Sequence, residues 1–101
     1  MEYRQERRIE NHLSSSIKKI GGYAMKITSP GMAGVPDRLI LVNGVAVFVE
    51  LKAPGCKPTE RQLAIHRYLK RLGFPVRVID SMQGVDCLVR ELDKNSSCST
   101  D

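Results

Sequence analysis

Apolar positions near the start of the chain recur at alternating steps of three and four. Tyr3, Leu13, Ile17 and Ile20 share a stripe with Glu6 and Glu10, and Ile9 flanks it. That period predicts a helix from Glu2 to Ile20, ended by Gly21-Gly22. The pattern then becomes strand-like. Tyr23 to Thr28 reads as a strand, and Ser29 to Pro36 as a loop punctuated by Pro30, Gly31, Gly34 and Pro36. Asp37 to Val42 and Val45 to Ala53 are β-rich runs separated by Asn43-Gly44, a strong hairpin signal. Pro54 and Gly55 close the second run. Thr59 and Gln62 form a capping box that opens a helix with Leu63, Tyr68, Leu69 and Leu72 inside and Gly73 at its end. Val76 to Ile79 is a short strand after Pro75. Asp80 or Ser81 caps a last helix that buries Met82, Val85, Leu88, Val89 and Leu92. The expected order is αβββαβα, an α/β class with a mixed sheet flanked by helices.

A chain of 101 residues makes one domain, expected over 1–94, with a Ser-rich tail at 95–101 expected to be disordered.

The hairpin turn sets a register. In a two-residue type I′ turn Val42 faces Val45, so the numbers of opposed residues add to 87 and Asp37 faces Glu50. Their Cβ atoms are expected ~5 Å apart. Lys52 lies two residues past Glu50 and points to the same side. That side reads Asp37, Leu39, Leu41, Ala46, Phe48, Glu50, Lys52; the other is Ile40, Val42, Val45, Val47, Val49 and Leu51, apolar except for Arg38. Both sides are therefore expected to be covered. Like charges placed opposite one another destabilise a sheet. A divalent cation offsets this, since Mg²⁺ takes hard carboxylate oxygens and keeps several waters. Lys52 beside the pair suits orientation of a water or stabilisation of phosphate charge. A helix carboxylate, Glu10 or Glu6, would complete the shell.

Charge extends this picture. The net charge is +5. Residues 1–79 carry 14 Lys/Arg against 6 Asp/Glu, or +8, and residues 80–101 carry −3. A basic body fits a polyanionic partner such as nucleic acid. With 5% aromatic residues and no Trp, a wide base-stacking platform is not expected. Cys56, Cys87 and Cys98 match no zinc spacing, and their odd number argues against a disulfide framework. A reducing cytoplasm is the expected location. The charged N-terminus shows no signal peptide, and the longest apolar run, Val45 to Val49, cannot span a membrane.

Gly34-Val35-Pro36-Asp37-Arg38 followed by Val49-Glu50-Leu51-Lys52 resembles the PD-(D/E)XK nuclease signature. More narrowly the chain resembles a stand-alone VRR-NUC domain of the phage and bacterial type. Gly21-Gly22, Lys26, Ser29-Pro30-Gly31, Lys52-Ala53-Pro54-Gly55 and Gln62 carry the likeness along nearly its whole length. The resemblance implies a restriction-endonuclease-like core and phosphodiester hydrolysis with Mg²⁺ or Mn²⁺. It implies that Asp37, Glu50 and the Leu51 carbonyl bind metal and that Lys52 serves the water. The helix acid maps to Glu10, with Glu6 as the alternative. Gln62 and Lys26 are expected near the site. The family's single-domain members resemble Holliday-junction resolvases, which implies branched DNA as substrate and a homodimer, whose two-fold axis supplies two sites. Lys57, Arg61, Arg67, Lys70 and Arg71 are candidate phosphate contacts. Other readings are a flap or nonspecific nuclease, and a catalytically idle DNA-binding adaptor. His12 and His66 have no acid or Cys at ligand spacing and are expected to be surface or structural residues.

Overall fold

A computed structural model describes residues 2–93, with side chains from Arg4 onward. The expected tail at 95–101 lies outside them, as do Cys98 and the side chain of Tyr3. Helix α1 (Glu2–Lys19) is followed by strands β1 (Tyr23–Lys26), β2 (Arg38–Val42) and β3 (Val45–Leu51). Helix α2 (Glu60–Arg71), strand β4 (Val76–Ile79) and helix α3 (Met82–Leu92) complete the order. The sheet runs β1-β2-β3-β4, antiparallel except for the parallel β3–β4 pair. This is the mixed, helix-flanked sheet anticipated above.

Local chemistry explains the elements. Asn43 and Gly44 both have positive φ, 52° and 78°, as a type I′ turn requires. The pairs Val42–Val45, Leu41–Ala46, Ile40–Val47, Leu39–Phe48 and Arg38–Val49 follow, in the expected register. The Asn43 side chain also donates to the Leu92 carbonyl at 2.7 Å, tying the turn to the end of α3. Helix α2 opens on the complete Thr59–Gln62 capping box. Helix α3 is capped by Ser81, which accepts from the Gly84 N–H at 2.9 Å. Asp80 instead accepts from the Gly55 N–H at 3.4 Å.

The core lies on one side of the sheet. Ile40, Val42, Val47, Val49, Leu51 and Ile79 pack there against Ile9, Leu13 and Ile17 of α1 and Val85 and Leu88 of α3. Ile9 is thus a core residue and not a flank of the helical stripe. The expectation that both faces are covered is corrected. On the opposite face Tyr23, Met25, Leu41 and Val78 stay exposed, at 62%, 36%, 36% and 43%. Helix α2 covers only the end nearest Glu50, and His66 is its buried residue. Tyr68 and Leu72, expected inside, are 45% and 54% exposed. The reason is geometric: one twelve-residue helix cannot shield four strands.

Candidate active site

The site forms where β2 begins and β3 ends. Asp37 stands one residue before the first β2–β3 pair, and its Oδ2 accepts the Leu51 N–H at 2.9 Å. Its carbonyl accepts the Ile27 N–H at 2.8 Å, which fixes the backbone from the other side. Asp37 and Leu51 line a cleft of about 270 Å³ with Glu6, Arg7, Glu10, Lys26 and Arg38. Glu50 is absent from the wall of that cleft and is 2% exposed. Its Oε2 accepts from Gln62 Nε2 at 3.2 Å and lies 3.6 Å from Lys52 Nζ. Its Oε1 faces His66 Nε2 at 3.7 Å, and both atoms are buried without a hydrogen-bond partner.

These surroundings perturb the charges. Burial, and then the charge of Asp37, push the Glu50 carboxyl up to about 7; Lys52 opposes the rise and Glu6 adds to it. Burial also lowers the His66 pKa, helped by the charges of Lys70 and Lys52 and opposed by Asp37. A buried acid shifted by desolvation together with a specific neighbouring charge is a candidate functional carboxylate.

The two helix acids separate. Glu10 is bound by the Arg38 guanidinium, which is buried and also donates to the Asp37 carbonyl at 3.2 Å. Burial lowers the Arg38 pKa, and the charge of Glu6 opposes that. The charge of Glu6 therefore reaches both Arg38 and Glu50, while Glu10 is committed to Arg38. Among the described residues no three His, Cys, Asp or Glu side chains gather closely enough to hold a metal ion, so a shell of three carboxylates is not assembled.

Gln62 holds both of its anticipated positions. Its Oε1 accepts the Thr59 N–H at 2.9 Å, closing the capping box, while its Nε2 reaches Glu50. Lys26 lies on the cleft wall. Lys57, Arg61, Arg67, Lys70 and Arg71 are all exposed. Arg61 lies at a close approach: a Cβ on Gly34 would meet its Cγ at 3.0 Å and its carbonyl at 3.1 Å, and the positive φ of Gly34, 91°, also favours glycine where this loop docks on α2. His12 bridges to Asp86 at 2.8 Å on the surface. Arg38 and His66 were missed as members of the site. Arg38 carried a signal, being the one charged residue on an apolar strand face. His66 also carried one, standing one helical turn after Gln62 and so on the same face.

A phage protein named "Putative nuclease p44", from Acyrthosiphon pisum secondary endosymbiont phage 1, is 56% identical over 78 residues, covering 76% of this chain and 84% of the relative. A solved structure described as a VRR_NUC domain matches with a TM-score of 0.78 at 33% identity, covering 85% of this chain and 95% of that one. The chain belongs to the VRR-NUC family. No family model matches it. In this VRR-NUC chain Cys56 and Cys87 form no disulfide among the described residues, and no helix among them is long and apolar enough to cross a membrane.

Proposed function

We propose that this VRR-NUC protein is a divalent-cation-dependent DNA endonuclease that selects branched DNA, as a Holliday-junction resolvase does. The observation that carries the reading is the carboxylate pair: Asp37 on an open cleft, and behind it Glu50, enclosed, with one oxygen unpartnered. A buried carboxylate with acceptor capacity left over suits a cation or a proton. Hard oxygen donors suit Mg²⁺ or Mn²⁺, which bind through one or two carboxylates and keep their waters. Two acids are enough on that count.

Asp37, Glu50 and the Leu51 carbonyl would hold the cation. Bound there, it would lower the pKa of a coordinated water and polarise the scissile phosphate. Lys52, ion-paired with Glu50 at 3.6 Å, carries positive charge at the point where phosphate charge develops. With Glu10 held by Arg38, Glu6 on the same cleft is the helix acid left to join Asp37 and Glu50. Gln62 and Thr59 hold α2 and Glu50 in one arrangement. The exposed Lys57, Arg61, Arg67, Lys70 and Arg71 would contact phosphates and position the substrate without reading its sequence. A two-fold homodimer would cut two strands symmetrically. The apolar side chains left open on the sheet offer surface for such pairing.

The test compares a labelled four-way junction, a flap and a linear duplex, each with Mg²⁺, Mn²⁺ or EDTA, alongside a solution mass measurement. Cutting of the junction alone by a dimer supports the full reading. Equal cutting of all three replaces it with a nonspecific nuclease. Equal cutting in EDTA removes the cation, and no cutting in either metal leaves a DNA-binding adaptor.

A further inference from the structure

Helix α2 brings two nitrogen-bearing side chains, one turn apart, to the two oxygens of a single carboxylate. Gln62 Nε2 donates to Glu50 Oε2 at 3.2 Å. Four residues on, His66 Nε2 stands 3.7 Å from Oε1. His66 is 4% exposed, and it is the residue that α2 buries. Neither Oε1 nor Nε2 has a hydrogen-bond partner. Leaving two buried polar atoms unsatisfied is costly, and it is rare without a functional reason. An apolar side chain at position 66 would have filled the same space and packed α2 on the sheet without that cost. The separation is only slightly beyond hydrogen-bond range, so a small side-chain rotation closes it.

We propose that His66 is a positioning residue whose Nε2–H donates to Glu50 Oε1, holding that carboxylate in the orientation that receives a divalent cation. The proposal rests on the cation-dependent reading above. The Gln62 amide fixes one oxygen and the His66 imidazole fixes the other, so the plane of the carboxylate is defined by one helix. His66 acts through Glu50 and touches neither cation nor DNA. Partners of this kind commonly alter metal affinity by about 10- to 100-fold when removed.

Mn²⁺ binding without DNA, followed by the resonance of free Mn²⁺ or by calorimetry, tests it on the parent, His66→Leu and His66→Gln, each with its unfolding midpoint measured. His66→Leu is expected to bind Mn²⁺ about 10- to 100-fold more weakly. His66→Gln, whose amide N–H reaches a similar place, is expected to recover most of that loss. A merely structural role would lower the midpoint without this pattern of loss and rescue. Nitrogen NMR of the parent gives a second readout: Nε2 of His66 is expected to carry the proton in the Mg²⁺-loaded protein, and its resonance to move as Mg²⁺ is added. Should His66→Leu fail to fold, that spectrum decides. Parent-like Mn²⁺ affinity in folded His66→Leu, or a bare Nε2 in the loaded parent, overturns the role of His66 alone. A parent that takes up no cation overturns both this role and the reading beneath it.

Discussion

The sheet face toward α1 and α3 carries Ile40, Val42, Val47, Val49, Leu51 and Ile79, and the two helices bury them all. The opposite face carries Leu39, Leu41, Phe48 and Glu50, is bordered by Lys52, and meets one helix that buries a histidine. The first face is closed over these apolar residues, with the Arg38–Glu10 pair at its edge; the second is polar at one end and open at the other. The contrast teaches that cohesion belongs to one side of the four strands, while the candidate site gathers at their end and draws on both sides. Alternation along a strand makes this possible, because neighbouring residues answer to opposite surroundings. Val49 and Leu51 anchor the core, while Glu50 between them faces Gln62 and His66 at the candidate site.

The strongest way to break this division is to remove charge at the site. Asp37→Ala or Lys52→Ala is expected to slow cleavage on the order of 10³-fold, while DNA affinity, supplied by the basic surface, changes little. Single-turnover cleavage and fluorescence anisotropy measure the two separately; cleavage at the parental rate would remove either residue from the site. On the closed face, Leu13→Ala, fully buried, is expected to cost about 2–5 kcal/mol in urea unfolding. Leu41→Ala on the open face is expected to cost about 0.5 kcal/mol or less. Equal losses would mean that the open face is covered in solution.

Glu50 gives the comparison a pH axis. Its folded pKa, about 7, lies above the ordinary 4.5. The folded state therefore holds the proton more tightly, and cation-free stability is full below 4.5 and declines as pH rises through 7. The decline is on the order of 3 kcal/mol. Glu50→Gln is expected to flatten this profile in EDTA, and to be the more stable protein at pH 8. An unchanged slope would place the titration elsewhere.

The finest test uses two helix caps. Thr59→Ala and Ser81→Ala should each cost about 1 kcal/mol. Only Thr59→Ala should also reduce cleavage, because Gln62 links that cap to Glu50. Equal cleavage by the two variants would uncouple α2 from the site.

Features set by neighbours in sequence were readable in advance. Asn43-Gly44 dictated its own turn, the turn dictated the register, and the register brought Asp37 and Glu50 to one end of the hairpin. The capping box announced α2 for the same reason. What escaped reading depends on placement across the fold. Nothing local says that Arg38 folds back on Glu10, twenty-eight residues earlier. Nothing local says that α2 is too short to cover the sheet, or that it seats His66 beside Glu50. Glu50 was expected opposite Asp37 as a metal ligand, and its enclosure comes from that same seating of α2.

The turn at Asn43-Gly44 is five residue pairs away from the acids, a span of roughly 17 Å. Residues added between Asn43 and Gly44 fall in the exposed tip, far from the acids; a longer loop that keeps Val42 opposite Val45 leaves the strand partners in place and gives up the Asn43 bond to α3. One residue added inside β2 or β3 would turn an acid to the wrong side of the sheet. The far end of the hairpin is thus where evolution, or an engineer fusing a targeting module, can vary the protein most freely.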